Sequence, residues 1–462
     1  MFFKQVYDET LAQASYIVGC QAKGIAAVID PKRDVDTYLM IAEQEKLQIT
    51  HVFETHIHAD FLSGSRELAE LTGAKLYLSD EGGPDWQYEF AHEGLKHGDV
   101  VKLGNISIEA LHTPGHTPEH MSFLLTDHPA SDSPVMLFTG DFVFVGDVGR
   151  PDLLEEAAGL VGTKEKGAHH MFDSLQEFVQ LNDMLLLWPG HGAGSACGKA
   201  LGAVNMSTVG YEKIRNWAIQ LLDNREKFVE ELLSDQPEPP KYFAMMKKLN
   251  KVDRALLPVV PKVPNLHQKD WDEMKKSHVI IDTRHDGIFA EGFVEGSYNI
   301  KPGKNFSTWM GWVMDYETDF ILIAEDAQIE DFTRKLMRIG LDNFKGYITP
   351  EQLATFEKDL KTYHHISKEE LKEELDHLHV LDVRNNQEFK DGHIESAQHI
   401  FVGKLEDKIH EIPRDRPIAV HCQSGYRSAI AMSILQKHGI ENVRNYAGGW
   451  AEWSRNLAEI KA

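Results

Sequence analysis

The sequence is poor in cysteine. It has only three in 462 residues, Cys20, Cys197 and Cys422, which is too few for a disulfide framework. Thiols this sparse are typical of a reducing compartment, where each one serves either packing or chemistry. Cys20 lies in the apolar run SYIVGC, so we expect it in the core. The other two lie in glycine-rich segments, where a thiol can serve chemistry.

The sequence also lacks long hydrophobic runs and an excess of positive charge. No apolar stretch approaches the roughly 18 residues that span a membrane, and the N-terminus has an acidic pair where a signal peptide has its apolar core. With 48 basic and 72 acidic residues the net charge is −24. This charge argues against nucleic acid and anionic membranes as partners. We expect a cytoplasmic protein that forms a homo-oligomer.

The chain is long enough for several domains. Short β-rich runs alternate with loops through the first 200 residues, and an apolar pattern predicts helix over residues 209–233. The proline-rich passages SDQPEPPK and LLPVVPKVPN then mark a domain boundary.

An internal repeat follows this boundary. Asp282, Arg284, Phe289, Gly292 and Ile300 recur as Asp382, Arg384, Phe389, Gly392 and Ile400. A period near 100 residues indicates a duplicated domain and not a solenoid unit. In each copy apolar strands precede helical patterns, which predicts α/β units with parallel sheets.

The segment HCQSGYRSAIAMSILQKHG is typical of a strand, a tight loop and a helix. Cys422 ends the predicted strand and Ser428 begins the predicted helix. Loop N–H groups and the positive end of the helix dipole can stabilise a thiolate at this position. Gly425 permits the tight backbone path, and Arg427 can hold an anionic substrate. Ser424 and Gly425 are therefore candidate substrate-binding residues.

This loop resembles the active-site loop of the rhodanese sulfurtransferases. The flanking segments VLDVRNNQEFKDGHIESAQHI and NYAGGWAEW are similar to that family as well. Four residues separate Cys422 from Arg427, whereas protein tyrosine phosphatases have five. The resemblance implies that Cys422 accepts sulfur as a persulfide and passes it to a nucleophile. The middle repeat has ILIAEDAQIEDF and no cysteine, so it is expected to be an inactive rhodanese-like domain.

Histidine and aspartate residues cluster at the ends of the β-rich runs in the first 200 residues. The candidate metal ligands and their neighbours are His56, His58, Asp60, His116, Asp141 and His191. In THIHAD, alternation along an extended segment would place His56 and His58 on the same side. Imidazole and carboxylate ligands of this kind suit a borderline divalent metal.

The order of these motifs resembles the metallo-β-lactamase superfamily over about residues 1–230. Its usual motif is His-x-His-x-Asp-His, in which the last histidine serves a second metal. Phe61 stands at that position here, which should weaken a dinuclear zinc site.

Within the superfamily the motifs are most similar to the persulfide dioxygenases. Those enzymes resemble glyoxalase II but hold one Fe(II) by two histidines and one carboxylate, an arrangement that leaves positions open for oxygen and substrate. The resemblance implies that His56, His116 and Asp141 bind one Fe(II) per chain, with zinc less favoured. It assigns His58, Asp60 and His191 to the surrounding shell that orients ligands and waters.

Two further residues have alternative roles. Arg150, in GDVGRPDL, is either a cation for the substrate carboxylate or part of a structural salt bridge. Cys197, six residues past His191 in GHGAGSACGKA, either carries sulfur near the metal as a catalytic residue or packs in the interior.

The combined motifs resemble the persulfide dioxygenase–rhodanese fusions that have an added inactive rhodanese-like domain. The resemblance implies an α/β protein with an N-terminal metallo-β-lactamase αββα sandwich and two rhodanese-like α/β domains. The expected domains are residues 1–255, 256–357 and 358–462.

The implied enzyme oxidises a low-molecular-weight thiol persulfide with O2 to sulfite. Its thiosulfate sulfurtransferase activity then turns sulfite into thiosulfate, which would serve sulfide detoxification. The carrier thiol stays open between glutathione, coenzyme A, cysteine and others. Two alternatives remain: a zinc glyoxalase II-like thioesterase fused to a sulfurtransferase, and a sulfur-carrier protein without turnover.

Overall fold

The computed structural model describes residues 1–153, 155, 162–199 and 201–455. These residues form two compact units. The first comprises Met1–Val260 and Arg334–Gly340, and the second comprises the rest of the chain from Pro261 onwards. Among the described residues, no helix is both long and apolar enough to cross a membrane.

The first unit contains two sheets, each with six strands in its described part. Sheet one is formed by β1 Phe2–Asp8, β2 Gln13–Cys20, β3 Ile25–Ile29, β4 Gln48–Phe53, β5 Lys75–Ser79 and β6 Glu93–Leu95. Sheet two is formed by β7 Val100–Leu103, β8 Ile106–His112, β9 Met121–Asp127, β10 Met136–Gly140, β11 Leu186–Pro189 and β12 Ser207–Thr208. In both sheets each strand lies beside the next one in sequence.

Helices pack on the outer faces of both sheets. The helices of this unit are α1 Asp36–Gln44, α2 Ser65–Thr72, α3 Thr163–Phe178, α4 Val209–Arg215, α5 Arg225–Leu233 and α6 Phe243–Lys251. One apolar cluster joins α1 and α2 to sheet one, a second lies between the two sheets, and a third joins α3 and α5 to sheet two. Burial of both faces of each sheet gives the expected αββα layers. Cys20 lies in the cluster between the sheets, as expected.

The sequence pattern predicted a helix over residues 209–233, but this segment is not one continuous helix. It contains α4, a short 3-10 turn at Ile219–Leu221 and α5. The side chain of Asn224 accepts a hydrogen bond from the backbone N–H of Lys227 and so begins a new helix. Asparagine favours such N-cap positions because its side chain replaces the missing backbone acceptor.

The second unit contains two four-stranded parallel sheets in its described part. The first has β13 Val279–Asp282, β14 Tyr298–Asn299, β15 Phe320–Ile323 and β16 Phe344–Ile348, in the order β14-β13-β15-β16. The second has β17 His379–Asp382, β18 Gln398–His399, β19 Ile418–His421 and β20 Val443–Tyr446, in the order β18-β17-β19-β20. The identical order is what a duplicated domain produces.

Short helices connect these strands. They are α7 Gln268–Met274, α8 Asp286–Glu291, α9 Phe306–Val313, α10 Ile329–Arg338, α11 Pro350–Phe356, α12 Lys368–Glu373, α13 Asn386–Asp391, α14 Tyr426–Lys437 and α15 Gly449–Trp453. The end of α10 belongs to the first compact unit. The two units do not test the expected domain boundaries at 255/256 and 357/358, which stay predictions.

The duplicated motif makes the same contacts in both copies. Nη2 of Arg284 donates to an Asp282 carboxylate oxygen at 2.6 Å and to the Gly292 carbonyl at 2.7 Å. Arg384 donates to Asp382 and Gly392 at the same two distances. In each copy, the repeated arginine thus ties the loop that follows the central strand to the repeated aspartate and glycine.

Candidate metal centre and sulfur-transfer loop

The candidate metal ligands lie in loops that follow strands of the first unit. His56 comes after β4, His116 after β8 and Asp141 directly after β10. Nε2 of His116 lies 3.5 Å from Oδ2 of Asp141, and Nε2 of His56 lies 3.9 Å from the same oxygen. One donor atom from each residue falls within 4.8 Å of the others, and all three side chains are buried. The structure therefore brings together the triad that the sequence predicted.

Hydrogen bonds fix both imidazole rings of the triad. Nδ1 of His116 donates to the carbonyl of Arg150 at 2.9 Å, and Nδ1 of His56 lies 2.9 Å from the hydroxyl of Thr55. In the neutral tautomers that fit these bonds, both Nε2 atoms are free to bind a metal. Burial, with the neighbouring histidines, lowers the pKa of His56 well below its ordinary value. The neutral ring is the form that binds metals.

Unsatisfied polar atoms mark the centre. Nε2 of His56 and both carboxylate oxygens of Asp141 are buried and make no hydrogen bond. Such atoms are costly unless a cation or a water is bound to them. A Cβ at Gly190 would lie 2.6 Å from Oδ1 of Asp141, so only glycine allows this approach. The donor set and its orphaned atoms fit a divalent metal.

His58 does not face the triad with its Nε2 atom. That atom lies 3.2 Å from Oδ1 of Asp30 and 3.0 Å from Oε2 of Glu54. Burial alone would lower the pKa of His58, but the two carboxylates raise it well above its ordinary value. The segment around His56 and His58 forms bends and not a strand, but the two rings still lie on the same side, with centroids 4.2 Å apart. Nε2 of His58 is thus engaged by two carboxylates, whereas its Nδ1 atom is buried and makes no hydrogen bond.

Asp60, His191 and Cys197 form a second buried group beside the triad. One donor atom from each lies within 4.8 Å of the others. Nε2 of His191 is 3.3 Å from Oδ2 of Asp60 and 3.4 Å from Oδ1 of Asp141. Burial raises the pKa of the Cys197 thiol well above its ordinary value, and the nearby Asp141 and Asp60 add to this effect.

The side chain of Arg150 is buried in a salt bridge. Its Nε and Nη2 atoms donate to the two carboxylate oxygens of Asp152 at 2.7 and 2.5 Å. Nη1 donates to the carbonyls of Ala196 and Pro237. The structure therefore favours the structural alternative for Arg150. A role in substrate binding stays a prediction and would require this pair to open.

Sequence reasoning missed three residues that shape the centre. Asp30 and Glu54 hold His58 as described, and nothing local in the sequence links Asp30 to His58. His120 accepts a hydrogen bond from the backbone N–H of Asp141 at 3.1 Å through Nε2. Its Nδ1 atom lies 2.9 Å from the hydroxyl of Thr113. The motif HTPGHTPEH contains both His116 and His120. Its spacing alone does not show that His116 lies in the triad whereas His120 positions Asp141.

In the second unit, Cys422 follows β19 and precedes α14. Its thiol is buried and accepts a hydrogen bond from the backbone N–H of Gly425 at 3.2 Å. Gly425 has a φ of +94°, which explains the requirement for glycine. A Cβ at Gly449 would lie 2.4 Å from the carbonyl of Cys422. The helix begins at Tyr426, two positions before the residue expected from the sequence.

Arg427 lies beside the thiol and is paired with a carboxylate. Its Nη1 and Nη2 atoms donate to Glu388 at 2.5 and 2.7 Å. Burial would lower the pKa of Arg427, but the bond to Glu388 and contact with Cys422 raise it. Ser424 is exposed in the same loop. The predicted loop residues are thus together, with Glu388 as an acidic neighbour that the sequence did not indicate.

The middle repeat places an alanine at the position of Cys422. Asp282 pairs with Ile323 as Asp382 pairs with His421, so the next residues, Ala324 and Cys422, are equivalent. At the carboxyl ends of its strands, this repeat has a cavity of about 790 Å³. Residues lining it include Arg284, His285, Lys301, Ala324, Glu325 and Tyr426. The repeat has no nucleophile at the equivalent position.

Two family profiles match the chain. The profile described as metallo-beta-lactamase superfamily covers residues 9–191, and that described as rhodanese-like domain covers residues 367–456. A crystal structure titled metallo-beta-lactamase from Staphylococcus aureus is 44% identical, with a TM-score of 0.70. The match covers 76% of this chain and 99% of that one.

Curated relatives of two kinds are similar to the first unit. A hydroxyacylglutathione hydrolase from Polaromonas sp. is 32% identical over 179 residues, which cover 38% of this chain and 61% of that protein. A mitochondrial persulfide dioxygenase from Bos taurus is 28% identical over 166 residues, which cover 34% of this chain and 59% of that protein. The chain thus spans about three fifths of each of these relatives. Similarity of this degree does not separate the two activities.

Proposed function

Because the chain belongs to the metallo-beta-lactamase superfamily and carries a rhodanese-like domain, we propose that it is an iron-dependent persulfide dioxygenase coupled to a thiosulfate sulfurtransferase. The observation that carries this proposal is the donor set of the buried centre. The triad of His56, His116 and Asp141 supplies two histidines and one carboxylate, while Nε2 of His58 is engaged by Asp30 and Glu54. Two histidines and one carboxylate are typical of non-haem iron that uses oxygen. Catalytic zinc takes this set as well as three histidines, so metal exchange is needed to separate the two ions.

One Fe(II) held by His56, His116 and Asp141 would supply the redox chemistry that adds oxygen to sulfur. The protein's part is positioning. Thr55 and the Arg150 carbonyl hold the two rings in the tautomer that binds metal, and burial excludes bulk water from the centre. The net reaction consumes one persulfide, one O2 and one water. The S–S bond breaks, the terminal sulfur is oxidised to sulfite, O2 is reduced, and the carrier leaves as its thiol.

The second step belongs to Cys422. Its thiolate attacks the outer sulfur of another persulfide, the S–S bond breaks, and the carrier thiol leaves. Sulfite then attacks the outer sulfur now on Cys422, so that thiosulfate leaves and the thiolate is restored. The Gly425 N–H stabilises the thiolate as it forms, and Arg427 is placed to hold the sulfite charge.

The rival with specific support is a zinc thioesterase of the glyoxalase II type. The hydroxyacylglutathione hydrolases are as similar in sequence as the dioxygenase, and Asp60 and His191 lie beside the triad. A sulfur-carrier protein without turnover is the weaker rival, because the candidate metal triad and the Cys422 loop both retain the residues that their proposed reactions need.

Metal exchange separates the proposal from its rivals. Metal-free protein is loaded with either Fe(II) under nitrogen or Zn(II), and then receives either glutathione persulfide or S-lactoylglutathione. We expect oxygen uptake only with iron and persulfide, measured with an oxygen electrode. Thioester hydrolysis by the zinc form without oxygen uptake by the iron form would establish the thioesterase instead. Neither activity, with Cys422 still able to carry sulfur, would establish the carrier.

A further inference from the structure

The cavity of the middle repeat has no part in the proposed reactions. It lies at the carboxyl ends of the parallel strands β13, β15 and β16, where open α/β sheets bind their ligands. All its lining residues belong to the second unit, and its volume of about 790 Å³ is in the range of small-molecule sites. Ala324 stands at the position of the nucleophile, so this space can hold a ligand without reacting with it.

One wall of the cavity is shared with the Cys422 loop. Tyr426 lines the cavity and directly follows Gly425, whose N–H donates to the Cys422 thiol. The Tyr426 hydroxyl donates to the carbonyl of Lys301 at 2.8 Å, and Nζ of Lys301 lies 5.4 Å from the centre of the tyrosine ring. Four residues of chain span at most about 14 Å, so a small thiol bound against Tyr426 can present its sulfur to Cys422.

Most of the lining is apolar. Ile288 is 53% exposed although it is a large hydrophobic residue, and Pro302 and Pro350 add further apolar surface. A ligand that covers Ile288 removes this surface from water, which favours binding. An apolar wall with a few charged groups at its edge is the usual composition of a small-molecule site.

The charged groups of the lining are of both signs. Arg284 and Lys301 supply positive charge, but each is paired with a carboxylate: Nη2 of Arg284 lies 2.6 Å from Asp282, and Nζ of Lys301 lies 2.8 Å from Asp286. Glu325 is an exposed acid of the same lining. A polyanionic thiol such as coenzyme A would meet these three carboxylates, whereas a zwitterion finds a partner for each of its charges.

We propose that this cavity binds the carrier of the persulfide that reacts at Cys422, and that the carrier is a small zwitterionic thiol of the cysteine or glutathione kind. Arg284 and Lys301 hold its carboxylate, and Glu325 holds its ammonium group. Its sulfur extends past Tyr426 to Cys422, where transfer follows the steps proposed above. The inactive repeat thus recognises the donor for the active one. This inference rests on the proposed sulfur transfer at Cys422 and names the class of its donor.

Two sulfur donors separate carrier binding from the chemistry at Cys422. The full-length protein is assayed under nitrogen, so that no oxygen reaches the metal centre. Cyanide is the acceptor, and either glutathione persulfide or thiosulfate is the donor. The rate measured with Cys422→Ser is subtracted as background. Thiosulfate has no carrier, so we expect the cavity to affect the KM for glutathione persulfide selectively.

Ile288→Asp places a charge on the apolar wall at a position that is already exposed to water. We expect it to raise the KM for glutathione persulfide, relative to the KM for thiosulfate, by at least about fivefold. Ile214→Asp, at an exposed isoleucine of the first unit, is the matched control and should leave the ratio of the two KM values unchanged. Equal changes in both KM values of Ile288→Asp, or no change in either, would overturn the proposal.

Titration calorimetry measures the cavity without sulfur transfer. S-methylglutathione is the ligand, because its sulfur cannot carry a second one. We expect it to bind the wild type and Cys422→Ser equally, and Ile288→Asp at least about fivefold more weakly. No binding to the wild type, or displacement by an equal concentration of coenzyme A, would overturn the proposal. Absence of thiosulfate transfer in the wild type would instead refute the proposed sulfurtransferase, and the calorimetric result would be unaffected by it.

Discussion

The imidazole hydrogen bonds decide the chemistry at the scale of single residues. His56, His116 and His191 each direct Nδ1 to an oxygen, and their Nε2 atoms face carboxylates. His58 instead has its Nε2 atom between Asp30 and Glu54. The motif predicted which histidines cluster. It did not indicate Asp30 as a partner of His58, because Asp30 is distant from His58 in sequence.

Glu388 is expected to weaken anion binding at the Cys422 loop. It neutralises Arg427 through two hydrogen bonds, so Glu388→Gln should leave the guanidinium free for sulfite or thiosulfate. We expect the KM for thiosulfate, in sulfur transfer to cyanide, to fall roughly threefold to tenfold, or about 1 kcal/mol. The exposed Glu395→Gln serves as the matched control. A higher KM in Glu388→Gln would mean that Glu388 positions Arg427 and does not compete with the substrate.

Glu119 should make the stability of the metal-free protein depend on pH. Burial raises the pKa of this carboxyl from 4.5 to about 7. Between these values the folded protein holds a proton that the unfolded chain has lost. The free energy of unfolding therefore falls as the pH rises through this window, by about 2–3 kcal/mol.

Urea unfolding at pH 5 and pH 8 measures this effect. Glu119→Gln should change the difference between the two pH values by about this amount, because the amide does not titrate. An unchanged difference would assign the pH dependence to other groups.

At the scale of elements, strand ends determine where the chemistry lies. The sequence predicted the strands that carry His56, His116, Asp141 and Cys422, because their apolar runs end in glycine-rich turns. The sequence pattern predicted helix limits wrongly in two places. It missed the break in residues 209–233, where Asn224 begins a new helix, and it placed the start of α14 two residues late. Capping depends on single hydrogen bonds, which hydrophobic patterns do not contain.

The middle repeat has the same strand order as the last repeat but lacks the residues proposed for sulfur transfer. Ala324 stands at the position of Cys422, but five positions later the chain has Ile329 where the active copy has Arg427. Acidic residues fill the loop between them. We expect Ala324→Cys in a Cys422→Ser background to stay at least about 100-fold below the wild type in thiosulfate:cyanide sulfur transfer. Recovery of activity would mean that the cysteine was the only missing part.

At the scale of the whole molecule, a metallo-beta-lactamase unit and a rhodanese-like domain share one chain. The repeat at an offset of 100 and the separate motif sets made this organisation predictable from the sequence. The grouping of Arg334–Gly340 with the first unit was not predictable, because it depends on contacts distant in sequence. The homo-oligomer and the cytoplasmic location stay predictions.

Coupling of the two activities predicts a change of product. The wild type should release thiosulfate from excess persulfide, and Cys422→Ser should release mainly sulfite at a similar rate of oxygen uptake. Chromatography of the derivatised anions measures the ratio. Cys20→Ser is the matched control for loss of a thiol. The same ratio in Cys422→Ser and the wild type would remove Cys422 from the pathway.

The most direct test of the central claim is the stoichiometry of oxygen uptake by the iron-loaded protein. We expect one O2 to be consumed for each glutathione persulfide oxidised by Cys422→Ser, in which no sulfur is diverted. We expect no uptake above background when Asp141→Asn removes a triad ligand in the same background. Equal uptake with and without Asp141→Asn, or no uptake by either protein with any small persulfide, would contradict the account.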